Sequence, residues 1–455
     1  MEVVVFILYL FALSLLILRN NFFRVEGIKK PLLVCLWGLK ILVGVCFYLI
    51  FNSASYKDVC YSSDFFKSSE KLFWLHKREP VIFKDIMLGV NTHTQTYKTE
   101  TLRISDKWYQ ENENNLVNDN RTVIRLNTLL HFISFHFYSI HLLFMSFLSF
   151  IGSVLLFKAF PKRGRKEIYA SAIACFLVPS LIFWSIGVLK EPLLLLGLGG
   201  FLFSFRKITR EFSFLTLFLL ILSCALLMCI KMYVFVVVLP MSLIFFWCQH
   251  KHRFIVLKYL VATIVLSTFC LLSHVCFPEQ KMDLVKTVTA QNQRLFNTPA
   301  KSDKITIFKV PHLECNIESL LKNTPLAMYN SLTKPFFYPV KDFVQLLINI
   351  ETILLALLLI VCLIFGNYKR FSRDNFAIFS VILCVYGFIL IGLTTNDMGT
   401  IMRNKSVFLP FYVYGLIHLL DTDRVLYFFK IQKRRKDKNF DLVKNFEERI
   451  GKMAR

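Results

Sequence analysis

Apolar stretches able to cross a hydrocarbon core of about 30 Å recur along the whole chain, with short basic segments between them. They fall at residues 3–18, 31–51, 140–157, 168–187, 193–205, 214–230, 234–247, 254–275, 343–365, 376–393 and 407–420. In lipid each run must satisfy its own backbone groups, which a helix does. The pattern therefore predicts an all-α integral membrane protein with about eleven transmembrane helices. Two polar interruptions are much longer than the rest, at residues 52–139 and 277–342, and both carry amphipathic helical runs. Residues 1–420 read as one polytopic transmembrane domain and residues 421–455 as a basic cytoplasmic tail.

Composition agrees with that reading. Of 455 residues, 55% are hydrophobic, and mean hydropathy is +0.54, outside the range of soluble globular chains. A net charge of +24 would suit nucleic acid, but the lysines and arginines sit in short segments between apolar runs and in the tail. That distribution marks cytoplasmic loops and attraction to anionic membrane lipids, and it excludes nucleic acid as the partner. Arg19, Arg24, Lys29 and Lys30 put the first connection inside, followed by the basic segments at 161–167, 206–210, 250–254 and 369–373. The chain is thus expected to be integral to the plasma membrane, amino terminus outside and carboxyl terminus in the cytoplasm. Glu2 precedes the first run and no cleavage site follows it, so the run reads as a span rather than a removed leader. Both long polar segments then lie outside.

Residues able to do chemistry collect on that outer side. In PSLIFWSIGVLKEP, residues 179–192, Lys190 and Glu191 stand between two apolar runs, just before the helix-starting Pro192. An ammonium group beside a helix amino end favours an anion; the alternative is a tight loop whose charges wet a helix end. In the first outer segment Asp58, Asp64 and Glu70 alternate with Phe65, Phe66, Phe73 and Trp74, as in a helix lying at the interface. A carboxylate there can act as general base or hold a divalent cation, or it can simply solvate the helix. No cofactor motif accompanies it, and the metal stays unassigned.

Further along, His131, His136 and His141 recur at steps of five, which on one continuous helix do not share a face, so metal ligation is not expected. Arg121 and Arg125 suit phosphate or lipid headgroups, or snorkel at a helix end. Lys334 precedes a re-entry into the bilayer and is placed to face the same cavity as Lys190. Glu351 lies among leucines and isoleucines, where a charge is costly and marks either function or a packing hydrogen bond. Gly399 permits a bend before Arg403, a planar donor matched to phosphate or carboxylate. Cys60, Cys276 and Cys315 allow one outer disulfide. There is no phosphate-binding glycine loop, HExxH or serine-nucleophile motif, so ATP-driven transport is unsupported.

The acidic aromatic loop around Asp64, the FWSIGVLKEP turn, the NSLTKPFFYP re-entry and the late GTIMRNKSVFLPF segment together resemble bacterial membrane proteins of surface-polysaccharide assembly. The nearest mechanistic class is the GT-C-like glycosyltransferases, which use polyprenyl-phosphate-linked sugars outside the cytoplasm. The resemblance implies Asp64 as the acidic residue of the first loop, with Lys190 and Arg403 as the cations that hold the lipid phosphate. The implied partners are a lipid-linked sugar donor and a glycan or lipid acceptor. In that class the acidic loop follows the first span; here it follows the second. A repeat-unit polymerase would need the same parts, and a flippase or transporter of lipid-linked sugars would need the cations without the base.

Overall fold

The computed structural model describes residues 1–52, 61–105, 108, 119–250, 254–276, 283–297, 310–334 and 343–428, and among these all regular structure is helical, with no strand. Two apolar rods open the chain, α1 (Glu2–Arg19) and α2 (Lys30–Asn52). The polar segment after them folds as α3 (Tyr61–Arg78), α4 (Pro80–Leu88), α5 (Gln95–Ile104) and α6 (Asp119–Ser134). Pro80 starts α4, and Gly89, at φ 73°, ends it in the left-handed region that glycine favours. Then come α7 (Tyr138–Ala159), α8 (Arg165–Ala172), a π-helical stretch Ile173–Leu177, α9 (Pro179–Trp184) and α10 (Glu191–Ile208).

The second half holds α11 (Phe214–His250), α12 (Ile255–Cys276), α13 (Leu284–Asn297), α14 (Ile317–Thr333) and α15 (Phe343–Phe365). It ends with α16 (Tyr368–Phe371), α17 (Asn375–Thr394), α18 (Met398–Ser406) and α19 (Leu409–Leu419). Of the basic tail only residues 421–428 are among those described.

Six of the described helices are long and apolar enough to cross a membrane: α1, α2, α7, α11, α15 and α17. Of the other expected spans, 254–275 returns as α12 (Ile255–Cys276), apolar over its described part Ile255–Thr268, and the rest depart for local reasons. The run at 168–187 is not one helix, because a π stretch loosens it at 173–177 and Val178 turns extended before Pro179. Its continuation α10 is 18 residues long but carries Glu191, Arg206 and Lys207. The last run gives a helix of only 11 residues, α19.

The long α11 joins two expected runs, 214–230 and 234–247, and Lys231 between them is not helical (φ −149°, ψ 88°). Its neighbours on α10 show what happens there. A Cβ on Gly200 would meet Ser223 and one on Gly197 would meet Leu227, so the first half runs against α10. Beyond Lys231 the order inverts: Phe235 lies against Phe201, and Phe246 against Phe205. The chain doubles back at Lys231.

Burial separates core helices from flanking ones. α7 and α10 are covered along most of their length, while α1 and α15 leave most of their apolar surface open, as helices facing lipid do. Where α7 and α10 cross, glycines let the backbones touch: a Cβ on Gly152 would come 2.6 Å from the Leu195 carbonyl, and one on Gly199 2.2 Å from the Gly152 oxygen. We expect Gly199→Ala to lower stability by about 1–3 kcal/mol through overpacking. Gly38→Ala, with nothing within 4 Å of the added carbon, should be close to neutral. Thermal unfolding of both variants in detergent checks this, and equal midpoints would contradict the α7–α10 contact.

Candidate functional site

Between α9 and α10 the chain crosses residues 185–190 without helix, and side chains from far away hold it there. Val188 N donates to Ser62 Oγ at 3.0 Å, and Lys40 Nζ donates to Ser185 Oγ at 2.8 Å. Gly187 passes so close to α2 that a Cβ would lie 2.9 Å from the Phe47 ring. The turn delivers Glu191 to the first turn of α10, followed by Pro192.

The Glu191 carboxylate is clamped. Its Oε1 receives Lys231 Nζ at 3.0 Å and lies 3.0 Å from Arg403 Nε, with side-chain exposures of 1%, 6% and 15% for the three residues. Lys231 donates a second bond to Asn404 Oδ1 at 2.8 Å. Arg403 and Asn404 belong to α18, whose amino end is capped by Asp397 through Gly399 N and Thr400 N. Oε2 of Glu191 is buried without a hydrogen-bond partner. A carboxylate balanced by two cations serves as a clamp, so proton acceptance must fall to another group.

Lys190 stands next to the clamp with its Nζ 5.9 Å from the centre of the Phe65 ring. Ser62 and Phe65 thus both rest on the turn, and Asp64 lies between them in the first turn of α3 with its side chain exposed. Lys334 caps the carboxyl end of α14 and is partly buried. Three residues before it, Ser331 O accepts from Lys405 Nζ at 3.1 Å, so the end of α14 abuts α18. Asp64, Lys190, Glu191, Lys334 and Arg403 therefore come from elements that meet at one end of the fold.

Arg125 sits one layer away. Its Nε donates to Ile86 O at 2.9 Å and its guanidinium lies over Trp108, so it binds α6 to α4 instead of pointing to headgroups. Arg121 is likewise buried and donates to Trp108 O at 2.8 Å, which replaces the snorkelling expected of it. Glu351 accepts from Ser180 N at 3.1 Å and from Ser180 Oγ, tying α15 to the start of α9. Cys315 is an exposed free thiol; Asp58, Cys60 and the Cys276 side chain lie outside the described residues.

The histidines need a correction. They are not on one helix, since Phe135 (φ 52°) and His136 (φ 63°) break the chain between α6 and α7. The break gathers the rings: His131 Nδ1 lies 3.1 Å from His136 Nδ1, and the His131 and His141 ring centres are 4.3 Å apart. Among the described residues no group of three or more His, Cys, Asp or Glu is arranged to hold a metal ion.

Lys231, Asn404, Lys405 and Lys40 were missed as site residues. Lys231 and Lys40 carried a signal, each being a lysine bordered by apolar runs; Asn404 and Lys405 carried none. Together the apolar helices and the junction define a class: an all-helical protein of membrane-spanning composition with a cation-rich site at one end. No family model matches the chain, and neither does any curated protein or solved structure.

Glu191→Gln removes the carboxylate charge between buried Lys231 and partly buried Arg403 and should cost about 3–5 kcal/mol. A thermal midpoint equal to wild type would remove the clamp from the account. A second expectation concerns pH. Burial, then His136, pushes the His131 pKa down to about 4, with the Phe66 backbone opposing. The unfolded chain binds this proton below about pH 6.5 and the folded one refuses it until about pH 4, so stability falls across that window. His131→Gln should flatten the slope of unfolding midpoint against pH; parallel slopes would contradict the buried neutral ring.

Proposed function

We propose that the protein transfers a sugar from a polyprenyl-phosphate-linked donor to a glycan or lipid acceptor, with the Lys190 end of the fold facing out of the cytoplasm. The orientation follows from the basic segments, which lie at the other ends of the same helices. One observation carries the reading: Ser62 and Phe65 hold the first turn of α3 against the turn bearing Lys190, while Glu191 draws Arg403 to the same place. A carboxylate and a set of cations thereby share one end of an otherwise apolar fold.

In the proposed step Lys190 and Arg403 bind the donor phosphate, and Asp64 takes the proton of the acceptor hydroxyl. The acceptor oxygen forms the new bond to the anomeric carbon. The bond from that carbon to the phosphate oxygen breaks, and polyprenyl phosphate departs with the electron pair. Lys334 lies at the edge of the junction, within the reach of a long acceptor or carrier.

A repeat-unit polymerase needs the same groups and differs only in its acceptor. The interrupted stretch α8 to α9, held by Glu351, favours a second reading, because broken helices are how transporters line a lipid-buried path: a flippase of lipid-linked sugars.

Single-turnover transfer from a labelled polyprenyl-linked sugar pool in reconstituted membranes separates them. Asp64→Asn should bind donor and transfer about a hundredfold more slowly or worse. Lys190→Gln and Arg403→Gln should each weaken donor binding by about 1.5–3 kcal/mol. Full activity of Asp64→Asn would move the base elsewhere. Translocation by a wild type that transfers nothing would select the flippase.

A further inference from the structure

Fifteen residues of α10 separate Glu191 from Arg206, about 22 Å of helical rise. At that far end a second group of cations collects where α7, the loop after it and α10 meet. Arg206 Nη1 donates to Ala159 O, and its guanidinium lies 5.8 Å and 5.4 Å from the Phe245 and Phe376 ring centres. Lys158 Nζ donates to Phe22 O and stands 4.3 Å over the Phe22 ring and 6.0 Å from that of Phe203. Lys162 Nζ lies 4.4 Å over Phe157.

These charges repel one another. Lys207 acts on Lys158, and Lys158 and Arg206 act on Lys162. Lys162 lies outside the apolar helices; burial lowers its pKa, Glu26 opposes that, and the smaller repulsion from Lys158 and Arg206 adds to the lowering. Asp374 pairs with Arg163 at 3.0 Å and also acts on Arg206. Among the described residues no carboxylate lies within ion-pair distance of Lys158, Lys162 or Lys207. Lys158 and Lys162, partly buried on aromatic rings, and the exposed Lys207 beside Arg206 outnumber the nearby Glu26, so the group is short of negative charge.

We propose that Lys158, Lys162 and Lys207 bind the phosphate of an anionic phospholipid headgroup. A free phosphate would satisfy the charge alone. The lipid is favoured because the adjoining helix ends carry exposed apolar side chains, Leu16 and Leu18 just before Phe22 in the chain and Phe214, Leu215 and Phe218 at the start of α11 just after Lys207, which offer surface to acyl chains. The site is independent of the Lys190 junction and of whatever reaction occurs there.

The test is the thermal midpoint of the full chain in phosphatidylcholine nanodiscs with and without phosphatidylglycerol. Phosphatidylglycerol should raise the wild-type midpoint by several degrees. The rise should vanish in Lys158→Gln/Lys207→Gln and shrink in Lys207→Gln, whose exposed side chain can change without disturbing folding. It should survive in Lys369→Gln, a basic residue of α16. No rise in the wild type, an undiminished rise in Lys207→Gln, or an equal loss in Lys369→Gln would overturn the site, the last by showing only diffuse attraction. Millimolar inorganic phosphate in neutral nanodiscs should do nothing; a full rise from phosphate alone would overturn the lipid.

Discussion

The buried Glu191 carboxylate, shared by Lys231 and Arg403, is the interaction on which the rest of the arrangement depends. It joins three places far apart in sequence: the start of α10, the reversal of α11 and the helix α18. The first two border breaks in regular helix, and interrupted backbone inside an apolar protein survives only if its polar groups are satisfied from elsewhere. Lys231 shows the coupling most directly. Its backbone leaves the helix and its side chain crosses to Glu191 and Asn404, so one residue both turns the chain and fastens the turn.

A second constraint sets the height of this junction. Because Gly152 and Gly199 let α7 and α10 touch backbone to backbone, neither helix can slide without a collision of carbonyl groups. The Glu191 end and the Arg206 end are then fixed on one rigid rod, about 22 Å apart. That is somewhat less than the roughly 30 Å of hydrocarbon in a bilayer, which suits charged groups set slightly inside the two boundaries. The Lys40 bond to Ser185 adds a lateral tie, holding the turn against α2.

Five of the six helices long and apolar enough to cross a membrane were legible because apolar runs bounded by charge report burial in lipid directly. Residues 3–18, 31–51, 140–157, 343–365 and 376–393 differ from α1, α2, α7, α15 and α17 by only a residue or two at each end. The stretch 168–187 misled because a π bulge and a break before Pro179 leave hydropathy unchanged while ending the helix. The histidine spacing misled for a related reason: two left-handed residues, neither of them glycine, interrupt a run that looks continuous. At the junction, Lys190, Glu191 and Arg403 stood out as charges between apolar runs. Their partnership did not, since Glu191 meets Arg403 across 212 positions and no local pattern encodes such a pair.

The charge of the junction bears on what it can favour. Lys190, Lys231 and Arg403, with Lys334, Lys40 and Lys405 around them, bring more positive charge than Glu191 and Asp64 remove. A lipid-linked sugar phosphodiester carries one negative charge; the polyprenyl phosphate that leaves carries close to two once the bond to the sugar has broken. Under the proposed transfer, this positive excess favours the larger negative charge that grows during bond cleavage over the smaller charge of the bound donor, which is the condition for stabilising a transition state beyond its ground state. Glu191 matters here by subtraction as well as by position. Without it buried Lys231 would face Arg403 with no carboxylate between them before any substrate arrived.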